Sequence, residues 1–175
     1  MVILMGMTGA GKGTQAQMLV ENGYSHISSG ELFRTYATDE QRERLVRGEL
    51  MRDEELFEIV EKGLETVPDL HKCILDGVVR SIPQADWLLD QVAKGRFKIT
   101  AIIHIAVSED VIKKRLMARG RSDDTEASIA KRIEEYHKNT EPILEYLEAK
   151  GIRLCHVNGD QTPEAVHKDI LRCLN

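Results

Sequence analysis

The chain has 175 residues, enough for one compact domain and hardly for two. Its 24 Lys and Arg against 29 Asp and Glu leave a formal charge of -5 at pH 7, which excludes a protein that coats DNA or an anionic membrane, since either role needs a net basic face. Hydrophobic residues at 42% supply a core and argue against disorder, while aromatics at 5% are too few for a base-stacking platform.

In chain order the hydrophobic pattern predicts a strand at 2–5, a helix at 12–22, a weaker strand at 24–28 and helices at 31–36 and 53–64. A strand at 73–75, a helix at 83–94, a strand at 100–107 and helices at 110–119 and 125–150 follow. A strand at 152–157 and a helix at 163–174 close the series. Ser81 with Gln84 three residues on forms a capping box, and Pro83 suits a first helical turn. Gly95 and Gly151 stand where a left-handed C′ residue is wanted, and Pro142 predicts a kink near Thr140. Such alternation implies an α/β fold: a five-stranded parallel sheet with helices on both faces, binding ligands beyond the carboxyl ends of its strands.

No basic residue precedes the short apolar run at 2–5, so no signal peptide is expected, and no stretch reaches the roughly 20 apolar residues of a membrane span. Cys73, Cys155 and Cys173 are an odd number, widely spaced and in no C-x-x-C arrangement. Neither structural zinc nor a disulfide framework is expected, but three small buried apolar residues in a reducing cytosol.

The first strand runs into Gly6-Met7-Thr8-Gly9-Ala10-Gly11-Lys12-Gly13-Thr14. Glycines there permit a tight loop whose amide N–H groups point inward, with a helix presenting its positive end behind it. That makes a cradle for nucleotide phosphates, with Gly9, Ala10, Gly11, Lys12, Gly13 and Thr14 on the ATP side. Lys12 reaches the outer phosphates and the Thr14 hydroxyl lies near Mg²⁺. Gly13 follows the lysine, so the hydroxyl comes one place later than in G-x4-G-K-[ST]. Asp76, at the end of a parallel strand, is placed to hold Mg²⁺ through water, although it also reads as a turn cap. The loop alone leaves the phosphoryl acceptor open among ATPases, GTPases, small-molecule kinases and nucleotide kinases.

The run G-x-x-G-x-G-K-G-T-Q, ending in Gln15, resembles the adenylate kinase family of nucleoside monophosphate kinases, and the resemblance continues along nearly the whole chain. His26-Ile27-Ser28-Ser29-Gly30-Glu31-Leu32-Phe33-Arg34 is similar to the first monophosphate segment, which implies that Ser29 lies by the base and Arg34 holds the phosphate. Gly48-Glu49-Leu50-Met51-Arg52-Asp53-Glu54 resembles the second, so Glu49, Leu50 and Met51 would line the base pocket. Asp76-Gly77-Val78-Val79-Arg80 with Gln84 is similar to the D-G-F-P-R…Q element: Gly77, Val78 and Val79 on the AMP side, Arg80 on its phosphate, Gln84 on adenine. Arg115, Arg119, Arg121 and Arg132 resemble the lid border and its catalytic arginines, the first two on the ATP side and the last two reaching AMP. Asn158-Gly159-Asp160-Gln161 looks like the loop at the donor adenine, which gives Gln161 that contact.

Chemistry alone supports the arginines, whose planar forks bind phosphate oxygens bidentately and neutralise charge on a moving phosphoryl group. Arg115 and Arg119, four apart, share a helix face, with Arg121 just beyond. No general base is required, since an AMP phosphate is largely dianionic at neutral pH and attacks unaided. On the residues alone, Arg115 and Arg119 also read as a helix C-terminal complement paired to Asp123 or Asp124, Gln84 as a cap residue and Arg34 as solvated. The six histidines form no ligand spacing and read as solvent or packing residues. The carboxylate-dense stretch at 49–65 reads as a solvated face, and Trp87, Leu88 and Val92 as core.

Four departures from the family pattern stand out: Thr8 and Arg52 each replace a proline, Val78-Val79 replaces Phe-Pro, and only Gly120 separates Arg119 from Arg121. The resemblance therefore implies a single kinase domain over 1–175, a helical monophosphate segment at 29–64 and a minimal lid at 119–124. It implies a cytoplasmic monomer that transfers phosphoryl from ATP, with Mg²⁺, to AMP, without nucleic acid or membrane partners. The alternatives are a UMP/CMP kinase, a P-loop kinase of another small metabolite, and a nucleotide-binding regulatory protein that has lost catalysis.

Overall fold

The computed structural model describes residues 1–47, 52–121 and 123–174. Its centre is β1 (Val2–Met5), a run in which every side chain is buried. Around it lie β2 (Ser25–Ser28), β3 (Cys73–Asp76), β4 (Ala101–Ala106) and β5 (Leu154–Asn158), in the order β2-β3-β1-β4-β5 and all parallel. Side chains alternate across a strand, so the central strands feed two cores. Ile3, Met5, Leu75 and Ile102 face one side, where α4 (Asp53–Glu65), α5 (Ile82–Ala93) and α8 (Glu141–Ala149) contribute Val60, Leu88 and Leu147. Val2, Leu4, Ile74 and Ile103 face the other, packing on Leu19 of α1 (Lys12–Val20), Ile112 of α6 (Glu109–Arg119), Ile129 of α7 (Glu126–Glu135) and Ile170 of α9 (Pro163–Leu174). Apolar runs buried on both faces are what a parallel sheet demands.

The remaining helices, α2 (Ser29–Tyr36) and α3 (Asp39–Val46), lie between β2 and α4. The hydrophobic pattern does not reveal α3, because Asp-Glu-Gln-Arg-Glu-Arg has no apolar stripe. Its signal is local: the Gln41 N–H donates to Thr38 Oγ1, and the Thr38 N–H donates to Gln41 Oε1, a reciprocal cap.

The helix expected at 125–150 is interrupted as Pro142 predicts, by a π-helical turn at Tyr136–Thr140 between α7 and α8 rather than by a simple bend. The Glu141 N–H reaches back five residues to Tyr136 O, and Pro142 next to it has no N–H to give to the Lys138 carbonyl in an ordinary ladder. Gly95 and Gly151 take left-handed φ values of 72° and 77°, as expected past a helix end. Leu88 is fully buried, with Trp87 and Val92 packed against the same core.

The expectation for the cysteines is corrected. Cys155 on β5 and Cys173 on α9 are joined in a disulfide, with their Cα atoms 6.1 Å apart. A spacing of 18 residues carries no pairing signal by itself, and only the fold brings α9 back against β5. Cys73 is the buried small residue foreseen, its thiol pushed up to about 11 by burial. Among the described residues, no helix is long and apolar enough to cross a membrane.

Candidate functional site

Beyond the carboxyl ends of the strands lies a cavity of about 810 Å³. Its floor is the loop after β1. Gly11 caps α1 with φ 95°, and a Cβ on Gly11 or Gly13 would meet nothing within 4 Å, so both border open space under the helix's positive end. Gly6 at φ 139° is obligatory for a second reason, since a Cβ there would lie 2.6 Å from Ile105 O. Lys12 Nζ donates to Gly6 O at 2.8 Å and Met7 O at 3.1 Å. Burial lowers the Lys12 pKa; Asp76 opposes this, and nearby Arg80 and Arg119 add to it. Thr14 lines the cavity, and Gln15 ties the loop to α9 by donating to Pro163 O at 2.9 Å.

Asp76 ends β3 facing Lys12. Burial by itself would raise its carboxyl pKa, but His26, Lys12 and Arg80 outweigh burial and hold it below the usual carboxylate range. His26 Nε2 stands 3.8 Å from Oδ2, too far for a hydrogen bond. Asp76 Oδ1 is buried without a hydrogen-bond partner. This orphaned acceptor lines the same cavity as Thr14, and a carboxylate and a hydroxyl oxygen are ligands that suit a hydrated Mg²⁺.

The turn after β3 holds Arg80. Gly77 O accepts from Arg80 Nε and from Ser29 Oγ, both at 2.8 Å. Burial lowers the Arg80 pKa, Asp76 opposing and Arg132 adding to the effect. Val78-Val79 therefore does not displace the arginine: Val78 and Val79 fill the core beneath it, and the guanidinium lines the cavity. Val79 also borders the cavity, whereas Val78 does not.

Gln84 is not among the cavity-lining residues either. It is 3% exposed, and its amide donates to Asp53 Oδ1 and accepts from the Arg80 N–H. Only half of the expected capping box forms: the Gln84 N–H donates to Ser81 Oγ, while the Gln84 side chain turns to Arg80 instead of Ser81 N. The acidic stretch is likewise more than a solvated face. Asp53 takes part in this network, Glu55 pairs with Arg44 at 2.7 Å and Glu61 pairs with Arg96. Glu49, Leu50 and Met51 lie outside the described residues.

On the opposite wall, Asp124 organises the arginines. Its side chain is fully buried; Arg119 donates Nε to Oδ2 at 2.8 Å and Nη2 to Oδ1 at 2.6 Å, and Arg132 Nη1 donates to Oδ1 at 3.1 Å. Arg132 also pairs with Asp123. The Arg121 N–H points at Asp124 Oδ2, and the Arg121 pKa is lowered by burial, by Arg119 and by Arg34 across the cavity. Arg115 Nη2 donates to Gly159 O at 2.9 Å, and Gln161 Nε2 donates to Asn158 O at 2.7 Å, so both border the cavity near the β5 loop.

Among the described residues, seven cations, Lys12, Arg34, Arg80, Arg115, Arg119, Arg121 and Arg132, thus line one cavity against four carboxylates, Glu31, Asp76, Asp123 and Glu135. Such a site attracts clustered phosphate charge although the whole chain is acidic. Sequence reading missed Tyr136 and Thr140, which the π-turn delivers to the same wall. The Tyr136 hydroxyl and His104 Nε2 share a hydrogen bond at 2.8 Å, and His104 Nδ1 faces His156 Nδ1 at 3.1 Å. Burial and His156 push His104 down to about 4, so its ring is neutral at pH 7, and burial pushes Tyr136 up to about 12. Pro142 was the available signal.

A family model described as adenylate kinase matches residues 4–152. An adenylate kinase of Prochlorococcus marinus strain AS9601 is 35% identical over 97% of this chain and 95% of its own length. One from Mycolicibacterium smegmatis is 41% identical over 83% of this chain and 84% of its own length. One from a Geobacillus strain is 34% identical over 99% of this chain and 97% of its own; the alignment spans 211 positions, so that relative carries segments this chain lacks.

Proposed function

The chain belongs to the adenylate kinase family, and on that premise we propose which of its residues carry the transfer of the γ-phosphoryl group of ATP to AMP, giving two ADP. The convergence of seven cations on the phosphate loop of one cavity carries this assignment. A UMP/CMP kinase and a regulatory protein without catalysis are not favoured, because relatives over nearly the whole length carry the name adenylate kinase.

ATP lays its outer phosphates on the amides of the loop from Gly9 to Thr14, and Lys12 exchanges its two carbonyl partners for phosphate oxygens. Arg115 and Gln161 hold the donor nucleotide beside the β5 loop. AMP enters between α2 and the β3 turn, its phosphate gripped by Arg34 and Arg80, with Ser29, Gly77 and Val79 along its path. Arg119, Arg121 and Arg132 close on the moving group. Because Asp124 already orders two of these forks, less reorganisation is left for the transition state. The AMP dianion attacks without a base.

Thr14 and, through water, Asp76 would hold the Mg²⁺ that accompanies ATP, and the ion would supply charge neutralisation on the phosphate oxygens. Residues 29–64 form the monophosphate segment and 119–124 a minimal lid within a single domain, so the arginines themselves exclude water. The chain acts as a monomer in the cytoplasm, where its substrates circulate, without nucleic acid or membrane partners. ADP formation from ATP should appear with AMP and far less with UMP, CMP, GMP or dTMP in parallel assays. ATP binding without turnover on any monophosphate would overturn the assignment.

A further inference from the structure

We propose that Asp53 is a positioning residue for the acceptor side: it fixes the Gln84 amide and, through it, the backbone that presents Arg80. The proposal rests on the phosphoryl-transfer role assigned above. Asp53 begins α4, and its Oδ1 accepts from Ser81 Oγ at 2.9 Å and from Gln84 Nε2 at 2.6 Å. A carboxylate only accepts, so the Gln84 nitrogen must face Asp53 and its Oε1 must face away. That oxygen receives the Arg80 N–H at 2.7 Å. The three links form one relay from the first residue of α4 to the backbone of Arg80, whose guanidinium lines the cavity.

One turn along both helices the contact repeats in apolar form. Phe57 of α4 stacks on Trp87 of α5, centroids 5.0 Å apart and planes 12° from parallel. On its far side α4 packs closely on α2, since a Cβ on Gly63 would lie 2.7 Å from Leu32 Cδ1. α2 carries Arg34 and Ser29. The two cations assigned to the acceptor phosphate, Arg34 and Arg80, therefore sit on elements that α4 joins, the Arg80 turn through Asp53 and α2 through the close approach at Gly63. With Val78-Val79 before Arg80, no proline ring stiffens this turn. The constraint comes from α4 instead.

The test compares Asp53→Ala with Asp53→Asn, which keeps a side-chain oxygen able to accept from both donors. Steady-state kinetics give KM for AMP and for ATP, calorimetry gives the AMP dissociation constant without turnover, and emission of Trp87, the only tryptophan, checks that the α4–α5 stack survives. Asp53→Ala leaves a buried amide donor unpaired and should raise both the KM and the dissociation constant for AMP about tenfold, while the ATP KM changes by less than about twofold. Asp53→Asn should return the AMP values to within about threefold of the parent. Unchanged AMP values in Asp53→Ala, equal losses for both nucleotides, or no rescue by asparagine would each overturn the proposal. A parent chain that binds AMP but transfers nothing would contradict the kinase assignment alone, and one that binds no AMP would overturn both.

Discussion

The Arg119 guanidinium lies along the buried Asp124 carboxylate, two nitrogens on two oxygens at 2.8 and 2.6 Å. The carboxylate is fully buried and the arginine about one-third exposed, so the fork is held from behind while the rest of the guanidinium faces the cavity. The hydrogen bonds from Arg119, with further help from Arg121 N–H and Arg132, hold the Asp124 pKa below the ordinary carboxylate range. A cation held in place before substrate arrives can neutralise developing charge with little rearrangement.

Arg119→Lys keeps the charge and loses the two-pronged geometry. Turnover should fall about 100-fold, while the ATP dissociation constant changes by less than about threefold, because the fork is needed most in the transition state. Parallel turnover and calorimetric ATP-binding measurements check this, and equal losses in both would place Arg119 among simple binding groups.

Gly77→Ala should damage the acceptor side selectively. The residue sits at φ +73°, and a Cβ would stand 2.8 Å from Arg80 Nη2 and 2.9 Å from Ser29 Oγ. Strain of about 1–2 kcal/mol should appear in urea unfolding, together with an AMP KM raised about tenfold. An unchanged AMP KM would show that Arg80 tolerates displacement.

Acid should weaken the fold through His104. Its folded pKa of about 4 lies below the ordinary 6.5, so the unfolded chain binds the extra proton between those values, and stability is lost as pH falls through that window. The groups facing it are His156, Tyr136, Glu141 and Lys12. Between pH 7 and pH 5 the loss should be about 2 kcal/mol in urea unfolding, and His104→Gln should flatten that slope. An unchanged slope in the variant would assign the titration elsewhere.

Protein kept from reductant and then denatured should expose one thiol, Cys73, and after reduction three. Opening the 18-residue loop should cost about 3 kcal/mol of stability. Three thiols without reductant would mean that the bridge between β5 and α9 does not form, as a reducing compartment would favour.

The sheet and most helices were legible because each rests on a local signal: Val2–Met5 is apolar on both faces, and Gly95, Gly151 and Pro142 punctuate as their backbone chemistry requires. The phosphate loop and the convergence of Lys12, Arg80 and Arg119 were legible for the same reason, since glycine spacing and strand ends dictate where they meet. What escaped depends on pairings across the fold. Cys155 finds Cys173 only once α9 lies on β5, and Gln84 turns inward only because Asp53 of a distant helix accepts its amide. Helix α3 was hidden by its uniform polarity, and Tyr136 by a change of helical period that Pro142 hinted at without placing the ring in the cavity.

The most direct measurement of the central claim follows the phosphoryl group itself. With ATP labelled in its γ-phosphate, Mg²⁺ and AMP, the label should appear in the β-phosphate of the ADP made from AMP, with two ADP formed per ATP consumed. Label released as inorganic phosphate, with AMP unchanged, would contradict it.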